Sequence, residues 1–282
     1  MTAGRFIALA LTAALATAGC GHTGHQTTEL VVGSRAGIES TLLADVYTGA
    51  LRSYGFPART EQAPNPLAKL DSGTFVVFPS LTGRVLQAFQ PGATVRADAQ
   101  VYKAMIGALP EGIAAGDYTT AAEDKPALAV AESTSKSWGG SDLGTLPRHC
   151  DGLVVGSVAG APTPSAVGSC RLPAAREFAD GAKLFAAVKV GEVTAAWTTT
   201  ADPNVPADLV VLTDGKPALV QAENVVPLYR RNELIDRQLL AVNEVAGVLD
   251  TAALVEMRRQ VTAGADPQAV ADAWLNEHPL GR

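Results

Sequence analysis

Histidine is scarce in this chain, with four residues among 282. His22 and His25 lie near the N-terminus and His278 at the end of the last helical stretch, so only His149 falls inside the body of the sequence. A Ser or Cys nucleophile needs an imidazole within hydrogen-bond reach, and a zinc site needs three or four ligands at recognisable spacing. Neither pattern occurs, so no enzyme, no metal and no cofactor is expected. The run Gly156-Ser157-Val158-Ala159-Gly160 is out of register for a nucleophile elbow. Basic residues are also few, 22 Lys and Arg against 28 Asp and Glu for a net charge of −6. The largest basic clusters are the pairs Arg230-Arg231 and Arg258-Arg259, which excludes a nucleic-acid surface. No apolar run approaches the ~20 residues that span a bilayer. Gly33-Ser34-Arg35-Ala36-Gly37 lacks the Lys-Ser/Thr of a phosphate loop and the three-glycine dinucleotide spacing. Its amides could face a ligand anion, or it could be a plain strand-to-helix turn.

Hydrophobic residues make up 47% of the chain and charged ones 18%, enough for a packed core of about two lobes. At the N-terminus, Arg5 precedes the short apolar stretch Phe6 to Ala16, as in an export signal. Thr17-Ala18-Gly19-Cys20 then reads as a lipobox: residues 1–19 would be removed and Cys20 lipidated, leaving 20–29 as a tether. An ordinary signal peptide with a chance cysteine is the alternative. Export permits a disulfide between the remaining cysteines, Cys150 and Cys170, worth about 3 kcal/mol for a loop of roughly 20 residues. Two separate buried thiols would be the other outcome.

Apolar runs that read as strands alternate with helical spacing along the first half. Leu30 to Ser34, Ala58 to Glu61 and Thr74 to Phe78 are strand-like, with helices expected over Glu39 to Tyr54 and Asn65 to Asp71. This alternation predicts α/β architecture with a mostly parallel sheet covered on both faces. Further strands are expected over 127–131, 153–158, 208–212 and 225–229, and helices over 100–109, 174–187, 232–249, 251–263 and 267–277. Asp250 and Asp266 stand where helix N-caps belong, with Pro267 at the first helical position.

Several of these segments resemble a known family. Leu30-Val31-Val32-Gly33-Ser34-Arg35 is similar to its first strand and Val-Gly-Ser-Lys turn, and Phe78-Pro79-Ser80-Leu81-Thr82-Gly83 to its Tyr-Pro-Glu-Tyr-Thr-Gly. Ala127-Leu128-Ala129-Val130, Trp197-Thr198-Thr199, Asp208-Leu209-Val210-Val211-Leu212 and Asn224-Val225-Val226-Pro227 also have counterparts, as do the closing helices. The family is that of osmoprotectant-binding proteins of ABC importers, which take glycine betaine, choline or carnitine. The overall type is also similar to actinobacterial lipoproteins.

The resemblance implies a two-lobed type II periplasmic-binding-protein fold with two interlobe crossovers. Residues 30–127 and 204–282 would form lobe 1 and 128–203 lobe 2. The partners implied are a small polar solute and ABC permease subunits, with the membrane reached through the lipid anchor. The alternative is an envelope lipoprotein that keeps the fold but acts as an interaction partner. Ligand-binding residues would be Ser34, Arg35, Ser80, Thr82, Trp197, Thr198, Glu223 and Asn224, and the disulfide would lie away from the cleft. The family's cage tyrosines fall on Leu81, Pro126 and Glu223, which leaves Trp197 as the retained aromatic. With aromatics at 5%, the resemblance implies the fold more firmly than it implies betaine.

Overall fold

The computed structural model describes residues 29–281; the expected signal segment and Cys20 lie outside the described residues. The first sheet is built from β1 (Leu30–Ser34), β2 (Ala58–Gln62), β3 (Val77–Leu81), β4 (Ile113–Ala115) and β12 (Val225–Arg230), in the order β2-β1-β3-β12-β4. β1 runs parallel to β2 and β3, whereas β12 returns antiparallel between β3 and β4.

One face of this sheet carries α1 (Ile38–Ser53), with α7 (Asp236–Val248), α8 (Thr251–Thr262) and α9 (Pro267–Glu277) packed around it. Every residue of α1 from Leu42 to Leu51 is buried, because sheet and helices enclose it together. Gly49 makes this possible, since a Cβ there would run into the Leu275 side chain of α9. Asp250 and Asp266 cap α8 and α9 by accepting from the Ala253 and Ala269 amides, which satisfies backbone donors that a helix start leaves unpaired. The other face holds α2 (Pro66–Asp71), α3 (Thr82–Phe89) and α4 (Asp98–Ala108) over a second apolar cluster.

The second sheet comprises β5 (Pro126–Ala131), β6 (Val155–Val158), β9 (Arg176–Phe178), β10 (Ala195–Thr199) and β11 (Leu209–Val211), in the order β11-β5-β10-β6-β9. Helix α5 (Glu132–Trp138), a 3-10 turn at Leu143–Arg148 and a small hairpin of β7 (Ala166–Val167) with β8 (Cys170–Arg171) lie around it, with α6 (Gly181–Lys189) on the opposite face. Cys150 and Cys170 are joined by a disulfide with Cα atoms 5.7 Å apart.

The structure differs from the sequence reading in places. β11 pairs antiparallel with β5, so the chain remains in the second lobe well past residue 204 and returns only where β12 begins. β5 already belongs to the second lobe at Pro126, just before the expected boundary. The helix expected over 174–187 starts at Gly181 behind the Asp180 cap, and Arg176–Phe178 forms an edge strand instead. Helices α3 and α5 were not expected; each follows its strand directly, without a polar cap residue to announce it.

Candidate ligand-binding cleft

Two crossovers link the lobes, and they run side by side. Glu123 and Asn224 form an antiparallel bridge, and the Asp124 amide donates to the Glu223 carbonyl at 2.8 Å. A third segment, just after β10, braces them. Thr200 Oγ1 donates to the Glu123 carbonyl at 3.1 Å and accepts from the Lys125 amide at 3.1 Å. Arg258 of α8 reaches into this seam, its Nη1 3.0 Å from Asp124 Oδ2 and 3.0 Å from the Ala201 carbonyl.

A cleft of about 810 Å³ opens between the lobes at these crossovers. The first lobe contributes Arg84 and Gln87 of α3 and the loop through Arg96; the crossovers contribute Asp124 and Glu223; the second lobe contributes Trp197, Thr198 and the proline-containing loop Ala161–Ala166. This lining mixes apolar surface with a few convergent polar groups, the usual composition of a small-molecule site.

Glu223 is held by the start of α3. The Arg84 amide donates to its Oε2 at 2.8 Å, so the carboxylate occupies the positive end of the helix. A Cβ at Gly83 would lie 2.6 Å from the Ala222 carbonyl oxygen and 2.8 Å from Glu223 Oε1; the glycine is therefore what lets helix and carboxylate meet. Burial pushes the Glu223 carboxyl up to about 7, against the lowering influence of the Arg84 amide and guanidinium. The Arg84 side chain turns instead to Glu39 of α1, 2.9 Å away.

The nominated residues separate into three groups. Trp197, Thr198 and Glu223 come together in the cleft. Arg35 and Ser80 line a smaller adjoining pocket of about 180 Å³ at the start of α1, which meets the cleft at Arg84. Ser34, Thr82 and Asn224 line neither and are buried. Thr82 Oγ1 accepts from the Asn224 amide at 3.1 Å, and the Asn224 Nδ2 donates to the Thr119 carbonyl at 3.0 Å. Thr82 and Asn224 thus fasten the second crossover to α3, and of this segment Glu223 is the nominated residue that lines the cleft. Ser34 sits inside the first lobe with its Oγ unpartnered.

Trp197 is only 7% exposed and packs among Leu128, Val155 and Val220, so it offers the cleft an edge of a core residue instead of an open face. Leu81 is wholly buried in the first lobe, so that cage position has left the cleft altogether. The disulfide is not remote from the site: β7, which its Cys170 strand pairs with, follows directly on the cleft-lining loop Ala161–Ala166. Arg84, Gln87, Arg96, Asp124 and Gln221 line the cleft without having been foreseen. Reading α3 as a helix would have pointed to Arg84 and Gln87 on adjacent turns.

Among the described residues no single helix is long and apolar enough to cross a membrane, and no cluster of His, Cys, Asp and Glu could hold a metal ion. Comparison with curated proteins finds no significant match. Among solved structures, apo YehZ from Escherichia coli is similar over 89% of this chain and 99% of its own, with 18% identity and a TM-score of 0.71. A glycine betaine/carnitine/choline ABC transporter structure matches over 88% of this chain and 98% of its own, at 14% identity and a TM-score of 0.73. A choline-binding protein in complex with choline follows at 18% identity, 89% of each chain and a TM-score of 0.56. These likenesses establish the fold. The sequence profile described as the substrate binding domain of ABC-type glycine betaine transport systems matches residues 28–277, and the chain belongs to that family.

Proposed function

We propose that this protein is the lipid-anchored receptor of an ABC importer, taking a small polar solute between its lobes and delivering it to a membrane permease. The observation that carries the reading is the cleft itself, seated at paired crossovers and lined by groups from both lobes. Cleft closure around a solute is what hinged two-lobed proteins do, and family membership supports a binding role and not an enzymatic one. A thermal-shift screen of the purified protein against betaines, amino acids, polyamines and sugars tests it. A true ligand at a hundredfold excess over its Kd adds about 2.7 kcal/mol of stability; no shift with any class would remove the receptor reading.

Glycine betaine is not the expected ligand. Micromolar affinity takes about 8 kcal/mol, and each cation–π face contributes only about 0.5–2 kcal/mol. The cleft has one aromatic of the cage, and that one is nearly buried. Anchoring rests on Cys20, in the sequence Thr17-Ala18-Gly19-Cys20. Cys20→Ala should shift the protein out of the membrane fraction or block signal processing, because it removes the residue that would carry the lipid chains. Unchanged partitioning into detergent would count against the anchor.

A further inference from the structure

We infer that the solute presents a cation bearing N–H groups, a primary or secondary ammonium or a guanidinium, to Asp124 and Glu223 at the hinge end of the cleft. This rests on the receptor reading above and narrows it. A quaternary ammonium has no hydrogen to donate and is held by aromatic faces; a carboxylate oxygen is held by donors.

The wall of this cleft is built for the second kind of partner. Asp124 is 4% exposed and lines the cleft, yet its Oδ1 has no hydrogen-bond partner; only Oδ2 is engaged, by Arg258. A buried carboxylate oxygen left unpaired is costly, and a donor arriving with the solute would satisfy it. Glu223 lines the same cleft on the neighbouring crossover. Its carboxylate takes amide hydrogens from Arg84 and Gly83 at the start of α3, and a carboxylate has about four acceptor sites, so acceptor capacity remains.

The cations that line the cleft do not fill this role. Arg84 makes its ion pair with Glu39 and meets Glu223 only through its amide and at longer range, and Arg96 is an exposed residue of the first-lobe loop. Burial weakens Glu223 as an acid more than the nearby Arg84 strengthens it, so a cation arriving with the solute would favour the ionised form. The charged groups around it are Arg84 of α3 and Glu39 of α1, with Asp124 on the adjoining crossover.

Matched solutes that differ only in N-methylation test the inference: ethanolamine and choline, glycine and glycine betaine, γ-aminobutyrate and its trimethylated form, with agmatine for the guanidinium. Titration calorimetry of the wild-type protein should find the N–H member tighter by at least about tenfold in the best-bound pair. Glu223→Gln should weaken that member roughly ten- to a hundredfold and weaken the quaternary member less, because only the charge attraction and no hydrogen bond is lost there. Gln keeps an oxygen for the Arg84 amide, so the helix cap survives the substitution. Proton release on binding, read from runs in buffers of different ionisation enthalpy, gives a second measurement on wild type that needs no variant. Tighter binding of the quaternary members, or no binding by any probe at millimolar concentration, overturns the inference. The receptor reading fails separately, if solutes of every other class in the thermal-shift screen are also silent.

Discussion

The two lobes are stabilised by different means. In the first, α1 is enclosed on every side from Leu42 to Leu51, and four long helices share its burden of apolar burial. In the second, residues 143–178 form a 3-10 turn, short strands and connecting loops, and a covalent bridge takes the place of a second layer of long helices. Helix-covered burial excludes water along whole elements, whereas a turn-rich region has fewer apolar contacts to oppose local opening. The irregular lobe is also the one that supplies the loop Ala161–Ala166 to the cleft. This wall of the cleft is thus held by a staple and a small group of aromatics, Trp197 in the cluster and Trp138 stacked on His149 beside the bridge.

The strongest test of this contrast is Trp197→Ala. Trp197 is a core residue of the second lobe, so the substitution should cost about 3–5 kcal/mol. Hydrogen exchange should then lose protection in β5 and β10 while α1 keeps its own; equal loss in both lobes would break the contrast. Replacing Cys150 and Cys170 together by serine should cost about 3 kcal/mol. Exchange should rise in the second lobe around residues 143–171, and solute affinity should fall, because the cleft loop is anchored beside the bridge. Unaltered affinity would separate the staple from the site.

The smallest effect concerns Glu223. Its folded carboxyl ionises at about 7 against an ordinary 4.5, so the folded state holds a proton that the unfolded chain releases earlier. Stability is therefore fullest below the ordinary value and declines as pH rises through that window. Melting temperatures measured across it should show this decline in wild type and a flatter profile in Glu223→Gln. Identical profiles would mean that solvent reaches the carboxylate.

Much of the first lobe was readable because its elements announce themselves. Leu30 to Ser34 is a short apolar run, α1 repeats its leucines at helical spacing, and Asp250 and Asp266 mark two helix starts. The second lobe signals less. Arg176 to Phe178 is a polar edge strand that looks like the beginning of the helix after it, and β11 joins the second sheet although it follows the expected return of the chain. The lining of the cleft was legible only where strand ends or crossovers could be placed, which gave Trp197, Thr198 and Glu223. Arg84 and Asp124 stayed hidden because their roles depend on tertiary partners: α3 meets Glu223 through the missing side chain of Gly83, and Asp124 meets Arg258 from more than a hundred residues away. Thr82 and Asn224 lie outside the cleft lining for the same reason, since side chains that bind across the hinge look like cleft groups when only their position is known.

The place of β12 sets an order on assembly. It lies between β3 and β4, yet in the chain it comes after the entire second lobe. As the polypeptide emerges from its N-terminus, β1, β2 and β3 can pair, but β3 keeps one bare edge and β4 has no neighbour at all. Exposed strand edges invite pairing with other chains. The second lobe is contiguous from β5 to β11 and needs nothing from later residues for its sheet. The smaller lobe can therefore be complete, with Cys170 already within reach of Cys150, while the larger one is still waiting for its inner strand. The hinge forms late, because Glu223 and Asn224 take their places beside the first crossover only as β12 slots in, and Arg258 reaches Asp124 only when α8 follows.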